Sequence, residues 1–205
     1  MAARLSAVCV TEPEGDLRRT LDVVARALSG GATAIMVRRP HATAFELFAL
    51  VRQLRPSTRA AHCLLLVSDR ADVAVAADAD GVHLGARSLP VVAARRAVGP
   101  GLLVGRSVHN LDEAGQAEEE GASYVLVGPV FPTPSHPGEP ALGLGPYREA
   151  ALRARIPVVA IGGITSDNVR LVAQAGGHGA AAIGAFYGVA DPAESARAFR
   201  AAFPS

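Results

Sequence analysis

Eight apolar runs, each followed by a helix-like segment, predict an α/β fold: a single-domain (β/α)8 TIM barrel spanning residues 1–205. Two further observations support closure. The candidate strands are apolar from end to end, as strands covered on both faces must be. Polar residues collect where those runs stop, and such barrels keep their chemistry at the C-terminal ends of their strands. A doubly wound open sheet would show fewer strands and a glycine-rich loop after the first one, which this chain lacks.

The first strand is expected at Leu5–Thr11. Asp16 then caps a helix whose apolar positions, from Leu17 through Leu21, Val24 and Leu28, fall at helical spacing, and Gly30-Gly31 stops it. Ala34–Val37 is the second strand, followed by Arg38-Arg39-Pro40. Thr43 and Glu46 form a capping box for a helix that Pro56 is expected to end. The third strand runs Cys63–Val67 and delivers Ser68-Asp69, and a short helix through Val73 and Ala77 follows. The fourth strand is Gly81–Leu84, with a helix from Leu89 to Val98. The fifth is Leu102–Gly105, after which Asn110 and Glu113 start a helix. The sixth is Tyr124–Val127, with a helix after Pro146. The seventh is Pro157–Ile161, before a helix capped near Thr165 or Ser166. The eighth is Ala180–Ile183, before a last helix from Pro192.

Composition narrows the functions open to this chain. It is 50% hydrophobic and 19% charged, enough for a sizeable core and too apolar for disorder. A formal net charge of +1 implies no nucleic-acid or anionic-membrane partner. Lysine is absent, which excludes Schiff-base chemistry through a lysine. Cys9 and Cys63 lie in apolar runs and are expected as buried, reduced thiols. No signal peptide or membrane-length apolar run is visible, so a cytoplasmic protein is expected. A homo-oligomer is compatible with the sequence.

The loop after the sixth strand stands out. Pro129, Pro132, Pro134 and Pro137 each fix φ and remove a donor. A loop so stiffened holds the hydroxyls of Thr133 and Ser135 and the ring of His136 in set directions. Gly162-Gly163 and Gly184-Ala185, after the last two strands, expose bare backbone N–H groups suited to a phosphate. His136 and His109 are the candidates for proton transfer, whereas His83, His41 and His62 read as structural.

Four ordered motifs identify a relationship: Asp80-Gly-Val-His-Leu-Gly85, Gly105-Arg-Ser-Val-His109, Gly128-Pro-Val-Phe-Pro-Thr133 and Val159-Ala-Ile-Gly-Gly-Ile164. Together they resemble the thiamine phosphate synthase/TenI superfamily over nearly the whole chain. The resemblance implies a barrel handling a thiazole phosphate. It assigns substrate contacts to Arg38, Ser68, Asp69, Ser107, Thr133, Pro134 and Ser135. Phosphate contacts fall on Gly162, Gly163, Ile183, Gly184 and Ala185.

The synthase branch couples a pyrimidine methyl diphosphate to the thiazole phosphate. It uses Gln-x-Arg-x-Lys where this chain has Met36-Val-Arg38-Arg-Pro40, and Asn-Asp where it has Ser68-Asp69. A second metal-binding Asp is replaced by Ser88, and a Thr-x-Thr-Lys by Thr133-Pro-Ser135-His136. Mg2+ leans on one or two carboxylates to neutralise a departing diphosphate, and here one remains. Arg38, Arg39 and Arg87 could compensate in part. The thiazole phosphate side is intact. These departures favour the other branch, a TenI-like tautomerase that aromatises a thiazole carboxylate phosphate by metal-independent proton transfer. The catalytic His of that branch falls on Pro129, so the expected acid/base residues are His136 and then His109. No cofactor is then required. The alternatives are a divergent Mg2+-dependent synthase, with Asp69 as metal ligand, and a non-catalytic binder of the thiazole phosphate.

Overall fold

The chain forms the expected (β/α)8 barrel in a computed structural model that describes residues 2–135, 138 and 140–203. The strands are β1 (Ala7–Val10), β2 (Ala34–Val37), β3 (Leu64–Ser68), β4 (Gly81–Leu84), β5 (Leu103–Val108), β6 (Tyr124–Val127), β7 (Val158–Ile161) and β8 (Gly179–Ala182). All are parallel and paired in sequence order, and β8 pairs with β1 to close the ring. The helices are α1 (Leu17–Ser29), α2 (Ala44–Ala60), α3 (Ala71–Ala76), α4 (Val91–Val98), α5 (Leu111–Glu119), α6 (Leu144–Arg153), α7 (Val169–Gln174), α8 (Gly184–Tyr187) and α9 (Pro192–Ala202).

The predicted caps are in place. Asp16 accepts from the Arg19 N–H, Thr43 and Glu46 close a reciprocal box, and Asn110 accepts from the Glu113 N–H. Several boundaries differ from expectation, each for a local reason. Leu5 is not in β1 but ends a 3-10 turn, Ala2–Leu5, and its buried side chain joins the barrel interior. Helix α2 runs past Pro56 to Ala60. An interior proline costs about 3 kcal/mol, yet the last turn buries Thr58 and places Arg55 and Arg59 against Asp78 and Asp80. Strand β5 extends to Val108 because Arg106–Val108 pair with Val125–Val127. Helix α7 starts at Val169, not at Thr165 or Ser166: the Asn168 side chain accepts from the Thr165 N–H and donates to the Gly163 carbonyl, spanning that loop. The two cysteines are free and buried, as expected, and burial pushes the Cys63 thiol up to about 12.

Alternate residues of the strands fill two layers of packing. Val8, Val10, Ala34, Met36, Leu64, Leu66, Tyr124, Leu126, Val159 and Ala181 face the interior. Most of the other apolar strand residues meet the helices. Interior volume is tightly constrained. In the register Ser68, His83, Gly105 and Tyr124 lie side by side on neighbouring strands. A methyl at 105 would sit 2.2 Å from Tyr124 Cζ, so glycine there admits the tyrosine ring.

The N-terminal end of the barrel is held by Asp80, from the first motif. Its Oδ2 accepts from the Leu65 N–H at 2.7 Å and from Arg55 Nη1 at 2.7 Å, and its Oδ1 accepts from Arg55 Nη2 at 3.2 Å. Its backbone bonds to Leu65 and to Leu103, so one residue ties β3, β4, β5 and α2 together. The pair is largely buried, with side chains 13% and 24% exposed. Asp80→Ala is therefore expected to lower stability by about 2–4 kcal/mol, by stranding a guanidinium and an N–H. The shift in urea denaturation midpoint measures it.

Candidate active site

A cleft of about 1500 Å3 opens at the C-terminal ends of the strands. Arg38, Ser68, Asp69, Ser107, His109, Thr133, Pro134, Ser135, Gly162, Gly163, Ile183, Gly184 and Ala185 all line it. His136 lies outside the described residues.

One side of the cleft is carried by the loops after β2, β3 and β4. The Thr11 hydroxyl accepts from the Arg38 N–H at 2.9 Å and donates to the Arg38 carbonyl at 3.3 Å. This latch fixes the Arg38 backbone, and the side chain is exposed to the cleft. Arg39 does not join it. Its Nη1 donates to the Gly15 carbonyl and its Nη2 to Thr20 Oγ1 at 2.7 Å, which braces the β1–α1 loop. The compensating role open to Arg39 is thus taken by a structural one. Asp69 adopts a left-handed backbone, φ 63°, a conformation unusual outside glycine. Its Oδ1 accepts from the Gly85 N–H at 3.1 Å and from the Ser88 hydroxyl. Arg87 is exposed at the rim next to Ser88 and makes no ion pair among the described residues. Arg106 donates to the Gly85 carbonyl at 2.9 Å and supports this loop from behind.

The other side is built from the loops after β6, β7 and β8. The β6–α6 loop is stitched to β7: Val130 N–H donates to the Ile161 carbonyl and Phe131 N–H to the Gly162 carbonyl. Gly162 and Gly163 have φ of 94° and 64°, and a side chain at either would strike Pro129 or Pro132. They therefore serve the close approach of two loops as well as exposing backbone. Gly184 differs, because nothing lies within 4 Å of its absent Cβ. As the first residues of α8, Gly184 and Ala185 have no intrahelical acceptor for their N–H groups. Thr133 Oγ1 accepts from the Ser135 N–H at 3.3 Å, which folds the two hydroxyl residues together.

The floor is polar at one place. His83 Nε2 lies 2.9 Å from Ser107 Oγ, and Nδ1 lies 3.2 Å from the Tyr124 hydroxyl. Burial pushes the His83 imidazole down to about 4; Asp69 pulls it up and Arg106 pushes it further down. Burial also holds the Tyr124 phenol above its ordinary range. His109 sits at the rim, where its backbone N–H donates to Glu113 Oε2 at 2.8 Å and its Nδ1 lies 3.2 Å from the same oxygen. It is engaged in the cap of α5. The sequence marked neither Thr11 nor Arg106 as a contributor, since each acts on another residue's backbone. The Tyr124 contact was not foreseen, and Gly105, which permits it, stood in the sequence only as a strand-end and motif residue.

The fold and the polar rim define a (β/α)8 barrel with its site at the C-terminal face. A family profile described as thiamine monophosphate synthase matches residues 7–186. Thiamine-phosphate synthases of Roseiflexus castenholzii and Moorella thermoacetica are 46% and 44% identical. The first match covers 88% of this chain and 80% of the relative. The second covers 94% and 92%. Among solved structures, thiamine phosphate pyrophosphorylase from Pyrococcus furiosus superposes with a TM-score of 0.88 at 38% identity, over 98% of this chain and 96% of that one. A 3-hexulose-6-phosphate synthase, 21% identical with a TM-score of 0.71, shares the fold alone. This chain belongs to the thiamine monophosphate synthase family.

These relationships overturn the tautomerase expectation. Relatives that match it over most of its length carry the synthase name, and with it the isomerase assignment falls. The substitutions that suggested proton transfer are changes within a synthase frame. Ser88 keeps an oxygen against Asp69 where the second carboxylate would stand.

The buried His83 has a consequence for acid stability. Its folded value lies below that of an unfolded histidine, so between pH 6.5 and 4 the unfolded chain binds the extra proton. Stability from this residue is complete above that window and is lost as pH falls through it. The His83 ring resonances are expected to stay in the neutral form from pH 7.5 to about 5. A titration midpoint inside that range, followed by NMR, would contradict the burial argument.

Proposed function

We propose that this protein is a thiamine-phosphate synthase, a transferase that joins a pyrimidine methyl diphosphate to a thiazole phosphate and releases diphosphate. The observation that carries this reading is kinship to named synthases over nearly the whole barrel. The division of the cleft, with Arg38 and Arg87 on one side and the N–H groups of Gly184 and Ala185 on the other, supports it.

The oxygen donors at Asp69 and Ser88 fit Mg2+, a hard cation that takes one or two carboxylates together with water and substrate phosphates. Among the described residues no cluster of three or more His, Cys, Asp or Glu is present. A cation held by Asp69 would therefore need further oxygen ligands from water or substrate phosphates. The chemistry Mg2+ would supply there is neutralisation of charge on the departing diphosphate. The protein's own residues do the rest. Arg38 and Arg87, with no lysine in the chain, supply fixed positive charge on the same side. Thr133, Ser135 and the N–H groups of Gly163, Gly184 and Ala185 hold the thiazole phosphate opposite. The two substrates then meet over the floor at Ser107, and orientation supplies much of the rate.

The test is turnover with both substrates. EDTA is expected to abolish it, and Asp69→Ala to cut kcat/KM on the order of 100-fold. Ser88→Asp restores a second carboxylate and is expected to lower the Mg2+ concentration for half-maximal rate. Turnover that ignores EDTA would overturn the reading.

A further inference from the structure

Below the cleft, three residues form a chain of polar contacts: Tyr124 hydroxyl, His83 ring, Ser107 hydroxyl. Tyr124 is 0% exposed and His83 4%. Their rings stack with centroids 5.6 Å apart. The contact exists because residue 105, between them in the register, has no side chain. A Cβ there would lie 2.5 Å from the Tyr124 hydroxyl and 2.6 Å from His83 Nδ1. Ser107 is half-buried and lines the cleft.

Counting protons distinguishes the two ways this chain can be bonded. A neutral imidazole offers one N–H and one bare nitrogen, and this ring is 4% exposed with a hydroxyl against each nitrogen. If Nδ1 carries the proton, it donates to the phenol oxygen and the Ser107 hydroxyl donates to Nε2. The phenol proton is then left without an acceptor, since Tyr124 has no other hydrogen-bond partner among the described residues. Ser107 would also have spent its proton downward. If Nε2 carries the proton, the phenol donates to Nδ1 and Nε2–H donates to Ser107 Oγ. Every buried donor is then used, and the Ser107 proton is free. One stranded buried donor favours the second arrangement roughly tenfold or more.

We propose that Tyr124 and His83 are a positioning pair for Ser107: the phenol donates to Nδ1, Nε2–H donates to Ser107 Oγ, and the serine proton is presented to an acceptor atom of the bound substrate. The arrangement decides what Ser107 recognises. It leaves the serine proton free for an oxygen or bare ring nitrogen of the substrate. The identity of the substrate as a pyrimidine methyl diphosphate rests on the synthase reading. The bonding of the pair does not.

Two measurements test the proposal and separate it from that reading. The first is 15N NMR of histidine-labelled, ligand-free protein at neutral pH. His83 is expected with its proton on Nε2. In Tyr124→Phe the Nδ1 resonance is expected to move, because its donor is gone, while the proton stays on Nε2. A proton on Nδ1 in the wild type, or an Nδ1 resonance indifferent to Tyr124→Phe, overturns the pair whatever the enzyme does. The second is a double-mutant cycle on turnover. His83→Leu removes the donor to Ser107 and is expected to reduce kcat/KM on the order of 10- to 100-fold. His83→Gln, which keeps an amide N–H, is expected to recover part of the loss. Adding Ser107→Ala to His83→Leu is expected to cost little more. Losses that multiply would overturn the proposal. A wild type without synthase turnover would overturn the function and leave the NMR result to decide the pair.

Discussion

Ring closure is the constraint on which the rest depends. Six of the eight strands are four residues long, so no single pairing is extensive. Closure gives every strand two hydrogen-bonded neighbours and leaves no edge. It also fixes the interior volume, because strand number, tilt and stagger are linked. Side chains inside must then fit one another across the register. Tyr124, His83 and Gly105 show the rule at work, since a large ring on one strand is matched by an absent side chain on the next.

The two ends of the barrel divide the labour. At the N-terminal end Asp80 and Arg55 hold strands together. The C-terminal end supplies a rim whose polar groups are largely fixed through backbone. Thr11 latches Arg38, Arg106 supports the loop carrying Ser88, and Asn168 spans the loop after β7. Orientation at the rim thus comes from residues that hold the backbone of the cleft-lining loops. Conservative changes in this outer set would be felt in the cleft.

The fold was legible in the sequence because its signals are local and repeated. Apolar runs, capping residues and glycines at helix ends each act within a few residues. Most of the rim was legible for the same reason, since strand ends mark it. The continuation of α2 past Pro56 was not, because it depends on Asp78 and Asp80, which are distant in sequence. Arg39 was misjudged because its acceptors at Gly15 and Thr20 lie in the β1–α1 loop and in α1, distant in sequence. The branch of the family was misread from substitutions at Met36, Ser68 and Ser88. Residue identity at such positions does not tell which oxygen still stands against Asp69.

The left-handed backbone of Asp69 has an implication for engineering. Most side chains pay about 1 kcal/mol or more in that conformation, and glycine does not. Glycine at this position would relieve the backbone and give up the two hydrogen bonds that Asp69 accepts, from the Gly85 N–H and the Ser88 hydroxyl. The gain would come with loss of the carboxylate that faces Ser88. Substitution here would trade backbone relaxation against the polar contacts that tie the loops after β3 and β4 together.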